Sequence, residues 1–304
     1  MDRLIEDYLK DCQSRGMAKS SFSANRSVLK AYQEYLDQRG SNFLAVDNAL
    51  LVGFIDHLRA KKAKTKTLKN YFSTLSSFYE FLVFSGKVSV NPILPIRKRY
   101  LKSYKNNNDG QERQLISIED MARIINSEMN IRNKAIVTLL AKTGIRRHEL
   151  VELDVSDVDL VEMSIRLKPT AKRTNRTVFI DDDCAFILRR WLKMRESVNP
   201  HKDVALFLSN RKHRSSADDV CRSVSKAAER VCLHDPSSDR MEDHFSPHNC
   251  RHWNTTHLLR AGMKREYVQW LRGDAIKEAV DIYFHTDPKD LQEAYLASIS
   301  QLGI

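Results

Sequence analysis

The chain is short of the residues that mark several protein classes. Nine glycines in 304 residues leave neither a GxxxxGK[ST] loop nor a GxGxxG fingerprint. That argues against a P-loop NTPase and against a Rossmann dinucleotide enzyme. With seven prolines and no low-complexity tract, the chain is neither collagenous nor disordered. No run approaches eighteen consecutive apolar residues, so no membrane-spanning helix is expected. The five cysteines (Cys12, Cys184, Cys221, Cys232, Cys250) are odd in number and form no CxxC pair. A disulfide scaffold is thereby excluded, and reduced thiols in a cytoplasmic compartment are expected. The opening MDRLIEDYLKDC interleaves charged and apolar residues and lacks the long apolar run of a signal peptide.

What is present is a globular balance, 42% hydrophobic and 29% charged, enough to bury a core. Fifty Lys and Arg stand against 39 Asp and Glu, a net of +11. The excess is local: residues 1–105 hold 19 basic and 9 acidic residues, and the remainder is almost balanced. A basic first third suits a polyanionic partner such as nucleic acid, and equally a solvated lysine-rich surface.

Apolar periodicity predicts four helices in the first 90 residues: 2–12, a second opening at Ser20 or Ser21 and running to about 38, a third capped by Asp47, and a fourth opening at Thr65 or Thr67. NPILP at 91–95 is read as a helix breaker. Residues 97–113 (RKRYLKSYKNNNDGQER) read as a basic linker between a helical domain, 1–96, and a second domain, 114–304. In the second domain helices are predicted at 117–127 (capped by Ser117), 131–143, 182–197, 215–232, 247–261, 265–272, 276–284 and 288–298. Strands are predicted at about 163–168, 175–180 and 205–209. The fold class is mostly α with a small antiparallel sheet.

Three segments carry chemistry. In AKTGIRRHEL, Thr143-Gly144 ends one helix and Arg146 opens the next, with Glu149 on its face three positions later; a guanidinium held by a carboxylate is either an anion site or an ordinary ion pair. In FSPHNCRHWNTTHLLRAGM, Ser246 is the N-cap and Pro247 the first helical residue. His248 and Arg251 then share the first turn, beside free N–H groups and the positive end of the dipole, where phosphates bind. In LRGDAIKEAVDIYFH, Tyr283 lies in a helical stretch with His285 beyond it. A zinc site drawn through Cys232, His234, His244, His248 and Cys250 has looser spacing than zinc ligands adopt.

Taken in order, TGIRRHEL, HNCRHWNTTHLLRAG and LRGDAIKEAVDIYFH resemble the three boxes of the tyrosine recombinase (lambda-integrase-like, Xer-like) family, TGLRxxEL, HxLRHxxATHLLxxG and LLGHxxxxxTxxYxH. The resemblance covers the whole chain. It implies a helical core-binding domain that clamps DNA, followed by an α+β catalytic domain. It also implies site-specific cutting and rejoining of double-stranded DNA through a 3′-phosphotyrosyl link, with no metal or nucleotide cofactor. Arg146 and Arg251 become the catalytic arginines, His248 the box-two histidine, Tyr283 the nucleophile and Glu149 the supporting acid. Lys172, in the turn after the first strand, becomes the lysine, with Lys168 in reserve. Asp274 stands where the family has His or Trp. It is read as a helix cap beside the site, leaving the missing role to Trp270, to His285 or to no residue. The family works as four protomers on two duplexes, so the one-sided C-terminal stretch (Leu291, Ala294, Tyr295, Ile299, Leu302) is expected to dock on a neighbouring protomer, the alternative being its own catalytic domain.

Overall fold

The computed structural model describes residues 2–102, 114–169, 176–274 and 287–304. It divides into two compact units, Met1–Gly110 and Gln111–Ile304. No helix among the described residues is long and apolar enough to cross a membrane.

The first unit is helical: α1 (Arg3–Ser14), α2 (Lys19–Asp37), α3 (Asn48–Ala60), α4 (Thr65–Phe84) and α5 (Ile93–Tyr100). Asp2 and Asp47 cap α1 and α3 by accepting from Leu4 N–H and Leu50 N–H, each satisfying a donor that a helix start leaves open. The core is aromatic, with Tyr8, Tyr32, Tyr35, Phe43, Phe54, Phe72, Phe78 and Tyr79 buried together. Edge-on contacts such as Tyr8–Phe78 at 5.4 Å suit the ring quadrupoles. Two expectations are corrected here. α2 begins after Ala18 and has no side-chain cap. NPILP does not end helix formation but starts α5: Pro92 is the N-cap and Pro95 the third helical residue, positions whose N–H groups lack intrahelical partners in any case. The basic stretch after residue 96 is therefore helical as far as Tyr100, and Ile93, Ile96 and Leu101 join the core.

The second unit is built around α7 (Ile131–Thr143), in which every residue from Ala135 to Thr143 is buried. A helix buried on all sides belongs at the centre of a layered core. Around it lie α6 (Ile118–Asn126), α9 (Asp182–Ser197), α10 (Ala217–Glu229) and α11 (Pro247–Arg260). Ser117 caps α6 as predicted. The sheet is antiparallel, ordered β1 (Val158–Asp159), β2 (Ser164–Leu167), β3 (Arg176–Phe179), with Ile165 opposite Val178. The predicted strand at 205–209 is not one. Ala205–Leu208 is buried, but side chains take its carbonyls: Trp191 Nε1 donates to Leu206 and Arg195 Nε to Ala205. Its pairing among the described residues is reduced to isolated bridges, Ala205 with Asp154 and Leu208 with Arg214.

Three short elements complete the unit: α8 (Arg147–Glu152), α12 (Arg265–Arg272) and α13 (Pro288–Ser298). The C-terminal stretch packs on its own unit, the second of the two docking places expected for it. Leu291, Tyr295, Ile299 and Leu302 belong to the buried core. Fully buried Lys142 pairs with Asp181, lies 3.2 Å from Asp183, and donates to Ser300 O at 2.9 Å. Tyr295 Oη donates to Lys142 O at 3.1 Å and Leu302 N–H to Asp183 at 3.2 Å. A buried ammonium needs such partners, and the tail supplies one of them.

Candidate active site

Local geometry brings the first two segments together. Gly144 ends α7 in the left-handed region, φ 61°, where a side chain is strained; a Cβ there would also meet Asn254 Oδ1 at 2.6 Å. Asn254, on α11, donates to the carbonyls of Ala141 and Lys142, tying α11 to the open end of α7. Arg146 is the N-cap of α8, and its backbone N–H donates to Glu149 Oε2 at 2.7 Å. Ser246 caps α11 with Pro247 in its first turn, as predicted. His248 is exposed and Arg251 buried in that turn.

Arg146 Nη1 and Arg251 Nη2 both donate to one acceptor, the carbonyl of Arg272, at 2.8 and 2.9 Å. Arg251 Nη1 also holds Gly144 O at 2.7 Å. The C-terminal end of α12, the negative pole of its dipole, thus gathers the two arginines. Burial first, then the charges of Arg146 and Arg272, push the Arg251 pKa down to about 9. Such a site calls for an anion.

Two arginines absent from the sequence reading complete it. Arg176, 8% exposed, places Nη1 and Nη2 each 2.9 Å from the Glu149 oxygens and donates from Nε to Leu271 O. Burial would raise the Glu149 pKa, but hydrogen bonds from Arg176 and Arg146 outweigh it and hold it below the ordinary value. The signal for Arg176 was a charge at the buried start of a predicted strand. Arg272 lies with Nε 2.9 Å from Asp274 Oδ2; its signal was a cation where the family's LLGH has an apolar residue. Asp274 turns its carboxylate to the arginines, Oδ1 lying 3.5 Å from Arg146 and 3.6 Å from Arg251. The helix it was expected to cap lies outside the described residues.

Lys172, Tyr283 and His285 also lie outside the described residues. Lys168 pairs with Asp154 at 2.5 Å and Asp157 at 3.6 Å. Trp270 lines a cleft of about 670 Å³ with Arg166, Arg176 and Lys289. Of the loosely spaced Cys/His set, His234 Nδ1 accepts from Phe245 N–H, His244 Nε2 lies 2.7 Å from Ser238 O, and Cys250 is buried with its thiol pushed up to about 12 by burial. Among the described residues no three His, Cys, Asp or Glu side chains gather as a metal site.

Residues 111–290 match the phage integrase family, and residues 5–86 match the phage integrase N-terminal SAM-like domain. The chain belongs to the phage integrase family. It is a site-specific tyrosine recombinase acting on DNA, with a mostly helical fold. The tyrosine recombinase XerC of Vibrio cholerae serotype O1 is 27% identical over 275 residues, covering 89% of this chain and 83% of XerC. Among solved structures, the Tn1549 transposon integrase in complex with circular intermediate DNA shares the fold with TM-score 0.69 at 19% identity, over 96% of this chain and 98% of that one. Lambda integrase, as a dimer bound to a COC′ core site, gives 0.65 at 18% identity, over 93% and 97%. As a tetramer bound to a Holliday junction it gives 0.65 at 19%, over 91% and 77%.

Proposed function

We propose that this recombinase cuts and rejoins double-stranded DNA through Tyr283, with Arg146, Arg251 and His248 holding the scissile phosphate. The observation that carries the reading is the convergence of Arg146 and Arg251 on the Arg272 carbonyl, which sets two guanidinium groups side by side in a partly buried site. Two planar donors suit the extra negative charge of a phosphorane-like transition state. Tyr283 Oη attacks phosphorus and gives its proton to a neighbouring base as the P–O5′ bond breaks. The 5′ oxygen leaves with a proton from Lys172, and the 3′ end stays on the tyrosine. The link conserves the phosphodiester energy, so a second 5′ hydroxyl reverses the step without a metal or nucleotide cofactor.

Residues 1–101 clamp the duplex, the segment that follows joins the domains and 114–304 do the chemistry. The exposed Lys61, Lys62 and Lys64 between α3 and α4, with Lys66 in the first turn of α4, supply phosphate contacts. Four protomers on two duplexes form the working assembly, in keeping with the tetramer seen for lambda integrase, and the reaction belongs to the cytoplasm, where the DNA is. Peptide mapping of the adduct on a nicked duplex tests this: DNA is expected on Tyr283. DNA on Tyr267 would overturn it; Tyr295 is buried with its hydroxyl bonded to Lys142 O.

A further inference from the structure

Four guanidinium groups and two carboxylates meet at the end of α12, and the two carboxylates are held very differently. Glu149 is 7% exposed at its side chain and takes both nitrogens of Arg176 at 2.9 Å. Asp274 is a third exposed, and its contacts to Arg146 and Arg251 are long, 3.5 and 3.6 Å. An anion held by long, half-solvated contacts exchanges more readily than one fixed by short buried ones. Its second oxygen is 2.9 Å from Arg272 Nε, yet that buried nitrogen makes no hydrogen bond among the described residues. The contact is one of charge without alignment. A buried N–H without an acceptor is a donor lacking its oxygen. Arg272 is also close enough to Arg251 for its charge to depress the Arg251 pKa, so it faces the same small volume.

We propose that Arg272 is a third phosphate-binding arginine, and that Asp274 holds the place of the phosphate among Arg146, Arg251 and Arg272 until DNA enters. The proposal rests on the arginine cluster being the scissile-phosphate site. Without DNA, the carboxylate relieves repulsion among three cations. When DNA arrives, a phosphodiester oxygen replaces Asp274 Oδ1 on Arg146 and Arg251, and Arg272 Nε donates to the phosphate. No covalent bond changes in the exchange. The paired departure of this chain from LLGH to LRGD is then one device: a donor added beside the phosphate, and a carboxylate that occupies it in the meantime.

The test uses the full chain as wild type, Asp274→Asn, Arg272→Gln and the double variant, measuring affinity for a nicked suicide duplex and the single-turnover rate of covalent attachment. Asp274→Asn removes the competing charge with nearly the same shape and is expected to tighten DNA binding by about tenfold. Arg272→Gln is expected to slow attachment by roughly 10²-fold, the usual loss for one transition-state donor. That loss should persist in the Asp274→Asn background, because it concerns the phosphate and not the carboxylate. If Arg272→Gln has no effect once residue 274 is Asn, Arg272 merely holds Asp274 and the phosphate contact is refuted. If Asp274→Asn weakens binding or abolishes attachment, the placeholder role is refuted. Should Arg272→Gln fail to fold, Arg272→Lys keeps the charge without the Nε donor and is expected to show the same loss. Failure of the underlying reading looks different: wild type forms no adduct, or the adduct survives Tyr283→Phe.

Discussion

Glu149 accepts from the Arg146 backbone and from both terminal nitrogens of Arg176, so removing Arg176 leaves a buried carboxylate with Arg146 alone to compensate it. Breaking a buried pair from one side costs about 3–5 kcal/mol. Arg176→Met is therefore expected to lower unfolding free energy by that order in urea denaturation. Arg176→Met with Glu149→Gln should recover part of it, since no under-compensated buried carboxylate remains. The pH dependence has a definite sign. The Glu149 pKa is lowered from its ordinary value of 4.5 in the folded chain, so its stabilisation is present above that value and is lost as pH falls through the folded one. The stability gap between wild type and Glu149→Gln should be largest near neutral pH and close in acid, measured by denaturation at each pH.

Of the residues that make this site, some were legible one by one and others only as neighbours. Local geometry places Arg146, Glu149, His248 and Arg251 at helix starts, where a phosphate site and an ordinary ion pair look alike; the resemblance of the three boxes is what singles them out. Arg176 and Arg272 act through contacts between segments distant in sequence, and local periodicity carries no information about those. Asp274 shows the same limit from the other side. Beside a glycine it reads as a cap, and only the folded chain reveals the arginines it meets.

At the scale of elements, caps and stops were the most legible features, because each is one side chain satisfying one open backbone group. Asp47, Ser117 and Ser246 all fall where the sequence placed them. The misplaced elements share another cause. Ala205–Leu208 is an apolar run in which the Trp191 and Arg195 side chains take the Leu206 and Ala205 carbonyls, and α5 begins where two prolines happen to need no N–H. Gly273 sets how α12 ends: its φ is 58°, and a Cβ would lie 2.6 Å from Arg176 Nη1. Gly273→Ala should displace the Arg176 guanidinium from Glu149, reducing covalent attachment at least tenfold while far-ultraviolet circular dichroism stays unchanged. α13 has a different role. Because the tail covers Lys142 and the core, deleting 288–304 should destabilise the catalytic unit rather than spare it. A tail that merely bridged protomers would leave the melting temperature unchanged when deleted.

At the scale of the whole molecule, charge and chemistry divide between the two units. Residues 1–105 carry most of the net positive charge, and each phosphate neutralised adds nearly one unit to the slope of log affinity against log salt. The full chain is expected to bind duplex DNA with a markedly steeper salt slope than a 106–304 fragment; equal slopes would contradict the clamp. The catalytic unit, by contrast, concentrates four arginines around a helix end and partly neutralises them with two carboxylates, so its charge is local.

The most direct measurement of the central claim is covalent trapping on a nicked suicide duplex, comparing wild type with Tyr283→Phe. The two side chains differ by one oxygen, the proposed nucleophile, whereas affinity rests on phosphate contacts made elsewhere. Wild type should give an adduct that survives denaturing electrophoresis. Tyr283→Phe should give none while binding the same duplex within about threefold. An adduct that persists in Tyr283→Phe would contradict the assignment.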